Sequence, residues 1–148
     1  MIRAHFNDIE AAIVQSLHHC DEAHVCSAWI SSRPILDALS VCESKLLVTN
    51  QRKYIQGSSE YSDHEYNLIL QSVSEFYMSR KLSQSLMHNK YIVLLNDGEP
   101  YEIWTGSYNF TSAAVNNDEN AIRITSAEIA RDYEKNFQTL LGGSIRLT

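Results

Sequence analysis

The residues best suited to chemistry in this sequence lie in two short polar segments of its second half. His88 and Lys90 are two residues apart in a predicted strand, so both side chains are expected on one face of a sheet. Ser107 and Asn109 have the same spacing directly after the next predicted strand. A hairpin would bring an imidazole, an ammonium, a hydroxyl and an amide together. Three hydrogen-bond donors beside a nucleophile or proton donor suit a phosphate, whose oxygens accept hydrogen bonds.

A carboxylate follows the second polar segment. Glu119 lies in the polar run 117–120, which opens the last predicted strand. A carboxylate there could bind the second ring nitrogen of His88 and fix the tautomer of the imidazole. The residues predicted to act on a substrate fall into two groups: the catalytic residues His88, Lys90 and Glu119, and the phosphate-binding residues Lys90, Ser107 and Asn109.

The elements that must position these residues alternate between strands and helices. Strands are predicted at residues 23–30, 45–49, 86–95, 101–105 and 121–124. Helices are predicted after Asn7, from Pro34, after Ser62 with an apolar face reaching Tyr77, and after Thr125 up to Gly142-Gly143. This alternation predicts an α/β fold, with helices packed on a mixed β-sheet, in a single domain over residues 1–148.

The composition is that of an ordinary globular protein. The 148 residues are 44% hydrophobic and 20% charged, which allows one hydrophobic core and gives no sign of disorder. The N-terminus lacks the apolar segment of a signal peptide, and the longest aliphatic run, residues 92–95, is too short to cross a bilayer. We therefore expect a cytoplasmic protein without membrane contact, with Cys20, Cys26 and Cys42 as reduced thiols.

The charge distribution is compatible with a phosphate-bearing substrate. A net charge of −6 argues against a surface covered with nucleic-acid-binding residues. Basic residues nevertheless occur without acidic neighbours at Arg52 and Lys53, and at Arg80 and Lys81. These four residues are candidate nucleic-acid contacts, and ordinary surface charge is an equally good interpretation of them.

A second group of residues contains side chains of the types that bind zinc: His18, His19, Cys20, His24 and Cys26. Their spacing matches no familiar zinc site, and the end of a helix followed by a buried strand explains them better. No metal ion and no other cofactor is therefore expected.

The two polar segments and the acid after them resemble the catalytic signature of the phospholipase D superfamily. Residues 88–90 match its H-x-K motif, residues 106–109 match G-S-x-N, and Glu119 matches the acid that follows. Residues 25–35 are similar to the first strand and following helix of the family. The resemblance implies metal-independent hydrolysis of a phosphodiester: one His attacks phosphorus to form a phosphohistidine, a second His protonates the leaving oxygen, and water completes the reaction.

One position departs from the motif of that family. The family has Asp seven residues after its His, where this chain has Leu95. Along a regular strand, position 95 has the opposite parity to His88 and Lys90, so its side chain should face away from the phosphate. The longer hairpin with residues 98–100, Gly-Glu-Pro, is similar to that of some restriction-endonuclease relatives, which also lack this Asp.

The resemblance implies two H-x-K motifs for each site, and this chain has one. We therefore expect a homodimer in which two copies of His88 share one cleft. The predicted function is a nuclease that hydrolyses DNA or RNA, and analogy adds a larger restriction or defence assembly as a partner. Two alternatives stay open: a hydrolase of cardiolipin-type phospholipids, and a catalytically silent phosphate-binding or dimerisation module, which Leu95 would favour.

Overall fold

The computed structural model describes residues 1–81 and 85–148 of the chain. In this part of the chain, eight strands form one mixed sheet and four α-helices pack on it, which confirms the predicted α/β fold. The strands are β1 (Ile2–His5), β2 (Glu22–Ser27), β3 (Glu43–Val48), β4 (Glu75–Ser79), β5 (Lys90–Asn96), β6 (Glu99–Gly106), β7 (Ala121–Thr125) and β8 (Ser144–Arg146). The helices are α1 (Ile9–Leu17), α2 (Arg33–Leu39), α3 (Asp63–Ser72) and α4 (Ala127–Gly142), with short 3-10 helices at Arg52–Tyr54 and Ser112–Asn116.

The strand order brings several strand ends to one end of the sheet. The order is β1-β7-β6-β5-β2-β3-β4-β8. Strands β2, β3 and β4 are parallel, whereas β5, β6, β7 and β1 pair antiparallel with their neighbours. Ser27 at the end of β2 pairs with Lys90, and Gly106 at the end of β6 pairs with Ala121. The carboxyl end of the sheet, where β2, β3 and β4 stop, therefore also contains the start of β5, the end of β6 and the start of β7.

The sheet separates two hydrophobic clusters. Helices α1, α2 and α3 cover one face, where buried side chains such as Ile13, Leu36 and Ile69 pack on the sheet. Helix α4 covers the other face through Ala130 and Phe137. Burying one large apolar side chain contributes about 1.5–3 kcal/mol, so both clusters hold the strands in register.

A buried polar contact also joins α4 to the sheet. His24 of β2 is 3% exposed, and its ring stacks on Phe137 with 5.0 Å between the ring centroids. Its Nε2 lies 2.6 Å from Glu22 Oε2, and its Nδ1 lies 2.7 Å from Glu134 Oε2. Both ring nitrogens are thus paired, as buried polar groups must be if their desolvation is to be offset.

Helix α3 is shorter than its apolar periodicity predicts. The helix ends at Ser72, and the predicted helical residues Phe76 and Tyr77 belong to strand β4. Val73 is extended, with φ −121° and ψ 151°, and Ser74 Oγ accepts a hydrogen bond from Ser44 N at 2.9 Å. Pairing of residues 75–78 with β3 therefore outweighs the local helical spacing.

The first residues of two helices also differ from the prediction. Helix α4 has Ser126 at its N-cap rather than Thr125, because Ser126 Oγ accepts the backbone N–H of Ile129 at 3.2 Å. Helix α1 has Asp8 at its N-cap rather than Asn7, with φ 54° and no side-chain hydrogen bond to the helix.

The strand prediction also differs from the structure at the start of β5 and at the two outer strands. Strand β5 begins at Lys90 rather than at residue 86, and residues 86–89 lead into it without strand structure. The outer strands β1 and β8 were not predicted. They have only four and three residues, which is too short for an alternating pattern to be recognised.

Leu95 lies on the face of the sheet covered by α4. It is 4% exposed and belongs to the same cluster as Tyr91 and Val93, whereas Ile92 and Leu94 belong to the cluster on the other face. A register shift in the pairing of β5 with β6 falls between residues 94 and 95 but leaves this alternation intact. The expectation that the side chain at position 95 faces away from Lys90 is therefore confirmed.

We expect Leu95→Asp to destabilise the fold, because it buries an unpaired carboxylate among apolar side chains. The free energy of unfolding in urea should fall by about 3 kcal/mol or more. The control Leu95→Met keeps the apolar volume and should cost less than about 1.5 kcal/mol. Equal stability of the two variants would contradict the placement of Leu95.

Candidate active site

All residues predicted to act on a substrate lie at the carboxyl end of the sheet. Lys90 is the first residue of β5, Ser107 follows the last residue of β6, and Glu119 lies two residues before β7. Strands β5 and β6 are central and β7 is the next strand outward. The predicted residues therefore lie on the ends of adjacent strands of one sheet.

His88 and Lys90 are in direct contact. Lys90 Nζ lies 3.1 Å from His88 Nδ1 and also donates to the backbone oxygen of His88 at 3.1 Å. His88 is exposed and precedes β5, so the contact is made by the reach of the Lys90 side chain rather than by alternation along one strand. Burial lowers the pKa of Lys90, and the negative charge of Glu119 opposes that shift. The arrangement holds an ammonium group beside an accessible imidazole.

Ser107 joins the end of β6 to the start of β7. Its Oγ donates to Glu119 Oε1 at 3.2 Å and accepts from Asn120 N at 3.1 Å and from Asn120 Nδ2 at 3.3 Å. Its backbone N–H donates to Asn120 O at 3.1 Å. Ser107 thereby fixes the carboxylate of Glu119 at the carboxyl end of the sheet.

Gly106 allows this close junction. A Cβ added at Gly106 would lie 2.8 Å from Ala121 Cα and would also clash with the backbone oxygen of Asn120. The glycine of the G-S-x-N segment is therefore required by the approach of the two strands.

Asn109 brings an amide group to the same place. It is half-buried, and its Oδ1 is buried without a hydrogen-bond partner in the described part of the chain. Its neighbours are firmly held: Tyr108 is 3% exposed, and Phe110 O accepts the backbone N–H groups of Ser31 and Ser32 at 2.9 Å each. Burial, followed by the charges of Glu10 and Glu119, raises the pKa of Tyr108 to about 12. Tyr108 is therefore an uncharged packing residue. In Asn109 the Nδ2 atom, rather than the buried Oδ1, is the atom able to donate to a phosphate oxygen.

The contact predicted between Glu119 and His88 is not formed within one copy of the chain. Glu119 is bound by Ser107, and the His88 Nδ1 atom faces Lys90. Burial lowers the pKa of Lys90, and the negative charge of Glu119 opposes that shift without a direct contact with His88.

The four candidate nucleic-acid contacts also follow strands that end at the carboxyl end of the sheet. Arg52 and Lys53 come after β3, and Arg80 and Lys81 come directly after β4. Arg52, Arg80 and Lys81 are exposed, whereas Lys53 Nζ forms an ion pair with Glu65 Oε2 at 2.9 Å.

Trp29 is a residue of this site that the sequence analysis missed. It was predicted within a buried strand, but β2 ends at Ser27, and Trp29 is half-buried beside His88. The two ring centroids are 5.2 Å apart and the rings are nearly perpendicular, at 83°. The sequence feature that could have indicated Trp29 is a large aromatic residue just after β2, the strand that pairs with β5.

The structure does not support a zinc site among the described residues. In residues 1–81 and 85–148, no group of three or more His, Cys, Asp or Glu side chains could hold a metal ion. His24 uses both ring nitrogens for Glu22 and Glu134, and the buried thiol of Cys26 contacts Met87 Sδ at 3.3 Å.

None of the helices in residues 1–81 and 85–148 is long and apolar enough to cross a membrane.

Comparison with protein families places most of the chain in a known family. The family described as "cardiolipin synthase, PLD-like domain" matches residues 13–141. The chain therefore belongs to the phospholipase D-like family.

Solved structures and a viral relative are similar over most of the chain. The phospholipase D family member Nuc from Salmonella typhimurium is 17% identical with a TM-score of 0.80, covering 99% of this chain and 97% of Nuc. NucT from Helicobacter pylori is 11% identical with a TM-score of 0.76, covering 99% and 98%. The uncharacterized protein L381 of Acanthamoeba polyphaga mimivirus is 22% identical over 92% of this chain, and the match spans only 63% of L381.

Proposed function

We propose that this chain is a metal-independent nuclease that hydrolyses DNA or RNA at a site shared by two copies of the chain. The observation that carries the proposal is the contact of Lys90 with the accessible imidazole of His88, with Asn109 and Glu119 on the neighbouring strand ends. In a phospholipase D-like fold, these groups supply a nucleophile, a fixed positive charge and an amide for one phosphate.

The proposed reaction has two steps. An imidazole nitrogen of one His88 attacks phosphorus, the bond to the leaving oxygen breaks, and the second His88 gives that oxygen its proton. Water, deprotonated by the second His88, then attacks phosphorus and releases the first imidazole. Lys90 and Asn109 donate hydrogen bonds to the non-bridging oxygens, on which negative charge grows in each transition state.

Glu119 and Ser107 have supporting roles in this proposal. The negative charge of Glu119 opposes the loss of the Lys90 proton that burial favours. Ser107 keeps Glu119 in place through the 3.2 Å hydrogen bond, and its hydroxyl can also turn toward a phosphate oxygen. Glu119 thus favours the protonated form of Lys90, whose positive charge stabilises the bound phosphate.

A nucleic acid fits the surroundings better than a phospholipid. Arg52, Arg80 and Lys81 are exposed at the carboxyl end of the sheet, where they can contact phosphates that flank the one being cleaved. A single phospholipid headgroup has fewer phosphates to use them. A cardiolipin-type lipid is the second candidate, which the description of the matched family favours. A cytoplasmic restriction or defence assembly stays a prediction made by analogy.

The proposal is tested by incubating the purified protein, with excess chelator throughout, with single- and double-stranded DNA, the matching RNAs, and vesicles that contain cardiolipin. We expect cleavage of a nucleic acid, because Lys90 supplies the positive charge that a metal ion would otherwise give. Lipid hydrolysis alone would favour the second candidate. Activity that disappears with chelator and returns with magnesium or zinc would contradict the mechanism.

Lys90→Ala and Asn109→Ala should each reduce turnover by about two orders of magnitude or more. Each substitution removes a donor to the phosphate, which is worth about 2–4 kcal/mol in the transition state. Lys135→Ala is the matched control, because it removes an equal charge from an exposed position on α4. Initial rates and thermal unfolding should be measured for all three. Near-wild-type rates for either site variant would show that phosphate is not bound here.

The shared site is tested with mixed dimers that contain one wild-type and one His88→Asn subunit. Such dimers should be nearly inactive, because either the nucleophile or the proton donor is missing. Differently tagged subunits allow the mixed species to be isolated, and a dimer of two differently tagged wild-type subunits is the control. A mixed dimer with about half the wild-type rate would mean independent sites, and activity of a monomer at high dilution would also rule out sharing.

A further inference from the structure

His88 receives little orientation from its own secondary structure. It lies two residues before β5, its side chain is exposed, and its backbone is outside the hydrogen-bonded ladder. Its contact with Lys90 comes from a long side chain that must also bind the phosphate. A nucleophile needs a narrow range of ring orientations, so another group must limit the rotation of this imidazole.

The ring of Trp29 is placed to do this. Its centroid is 5.2 Å from that of His88, and the two planes meet at 83°. This edge-to-face geometry is one of the favoured arrangements of aromatic rings. Trp29 therefore limits the rotation of His88 on one side without occupying the Nδ1 atom that faces Lys90.

Trp29 is itself held by the segment that carries it. Ser27 Oγ donates to Trp29 O at 2.6 Å. The preceding residue, Ala28, donates its N–H to Asn89 O at 3.0 Å and accepts from Gln51 Nε2 at 3.0 Å. Because Asn89 is the chain neighbour of His88, the backbones that carry the two rings are joined directly.

The same segment is also joined to the G-S-x-N side of the site. Ile30 forms a β-bridge with Phe110, whose backbone oxygen accepts from Ser31 and Ser32. The segment from Ser27 to Ser32 therefore contacts both chain segments that supply the candidate catalytic groups.

We propose that Trp29 is a positioning residue that holds the imidazole of His88 in the orientation required for attack on phosphorus. This inference rests on the proposed function and adds a residue to it. Trp29 acts through His88 and need not touch the substrate. Its loss should therefore slow turnover without weakening substrate binding.

The test compares wild type with Trp29→Ala, Trp29→Leu and Trp29→Phe on the nucleic acid cleaved in the preceding assays. Trp29→Ala should lower kcat about 30- to 100-fold with KM changed less than about threefold, because misplacement of a reacting group is costly. Trp29→Phe keeps an aromatic ring and should recover kcat to within about fivefold of wild type. Trp29→Leu keeps apolar bulk without a ring, should resemble Trp29→Ala, and replaces it if that variant does not fold.

Signals of the His88 ring in nuclear magnetic resonance spectra give a second measurement. Loss of the Trp29 ring current should move the His88 signals and leave those of buried His24 unchanged. Unchanged kcat in Trp29→Ala, a raised KM with unchanged kcat, or a Trp29→Phe variant as slow as Trp29→Ala would each overturn the positioning role. An inactive wild type would instead overturn the proposed function, and the positioning role with it.

Discussion

Backbone pairing of β2 with β5 joins the parallel half of the sheet to its antiparallel half. The pairs run from Glu22 with Leu95 to Ser27 with Lys90. Because β5 runs opposite to β2, the start of β5 lies where β2, β3 and β4 end. The next antiparallel pairings add the end of β6 and the start of β7 to the same place. The grouping of His88, Ser107 and Glu119 is therefore a consequence of strand direction.

The electrostatics of the site depend on a balance at Lys90. Burial favours the neutral amine and lowers the pKa of Lys90, whereas the carboxylate of Glu119 favours the ammonium. Ser107 fixes that carboxylate by a hydrogen bond, and the absence of a side chain at Gly106 allows β7 to approach the end of β6 closely. The glycine at the end of β6 and the hydroxyl that follows it thus hold in place the carboxylate that opposes the effect of burial on the pKa of Lys90.

The sequence predicted the fold class and the placement of the candidate residues at neighbouring strand ends, because both depend on local patterns. Alternation of helical and extended segments was enough for the α/β fold, and the polar pairs at 88–90 and 107–109 were visible at strand ends. Parity also predicted the direction of Leu95, which packs under α4. The remaining features depend on contacts between distant segments. The local spacing of apolar residues favours a helix for residues 75–79, and the strand becomes evident only from the pairing with β3. Trp29 is recognised as a neighbour of His88 only when β2 and β5 are paired.

The same pairing affects the order in which the chain can become structured. Each of β3 and β4 is the next strand in the chain after its parallel neighbour, so these pairings close shorter loops than the pairing of β2 with β5. Pairing of β5 with β2 instead closes a loop that contains both β3 and β4, and closing a longer loop costs more chain entropy. A β2-α2-β3-α3-β4 intermediate would already have its basic residues at one end but would lack the imidazole. The contact of Trp29 with His88 depends on the long-range pairing of β5 with β2, whereas the positions of Arg52, Arg80 and Lys81 depend on the pairings among β2, β3 and β4.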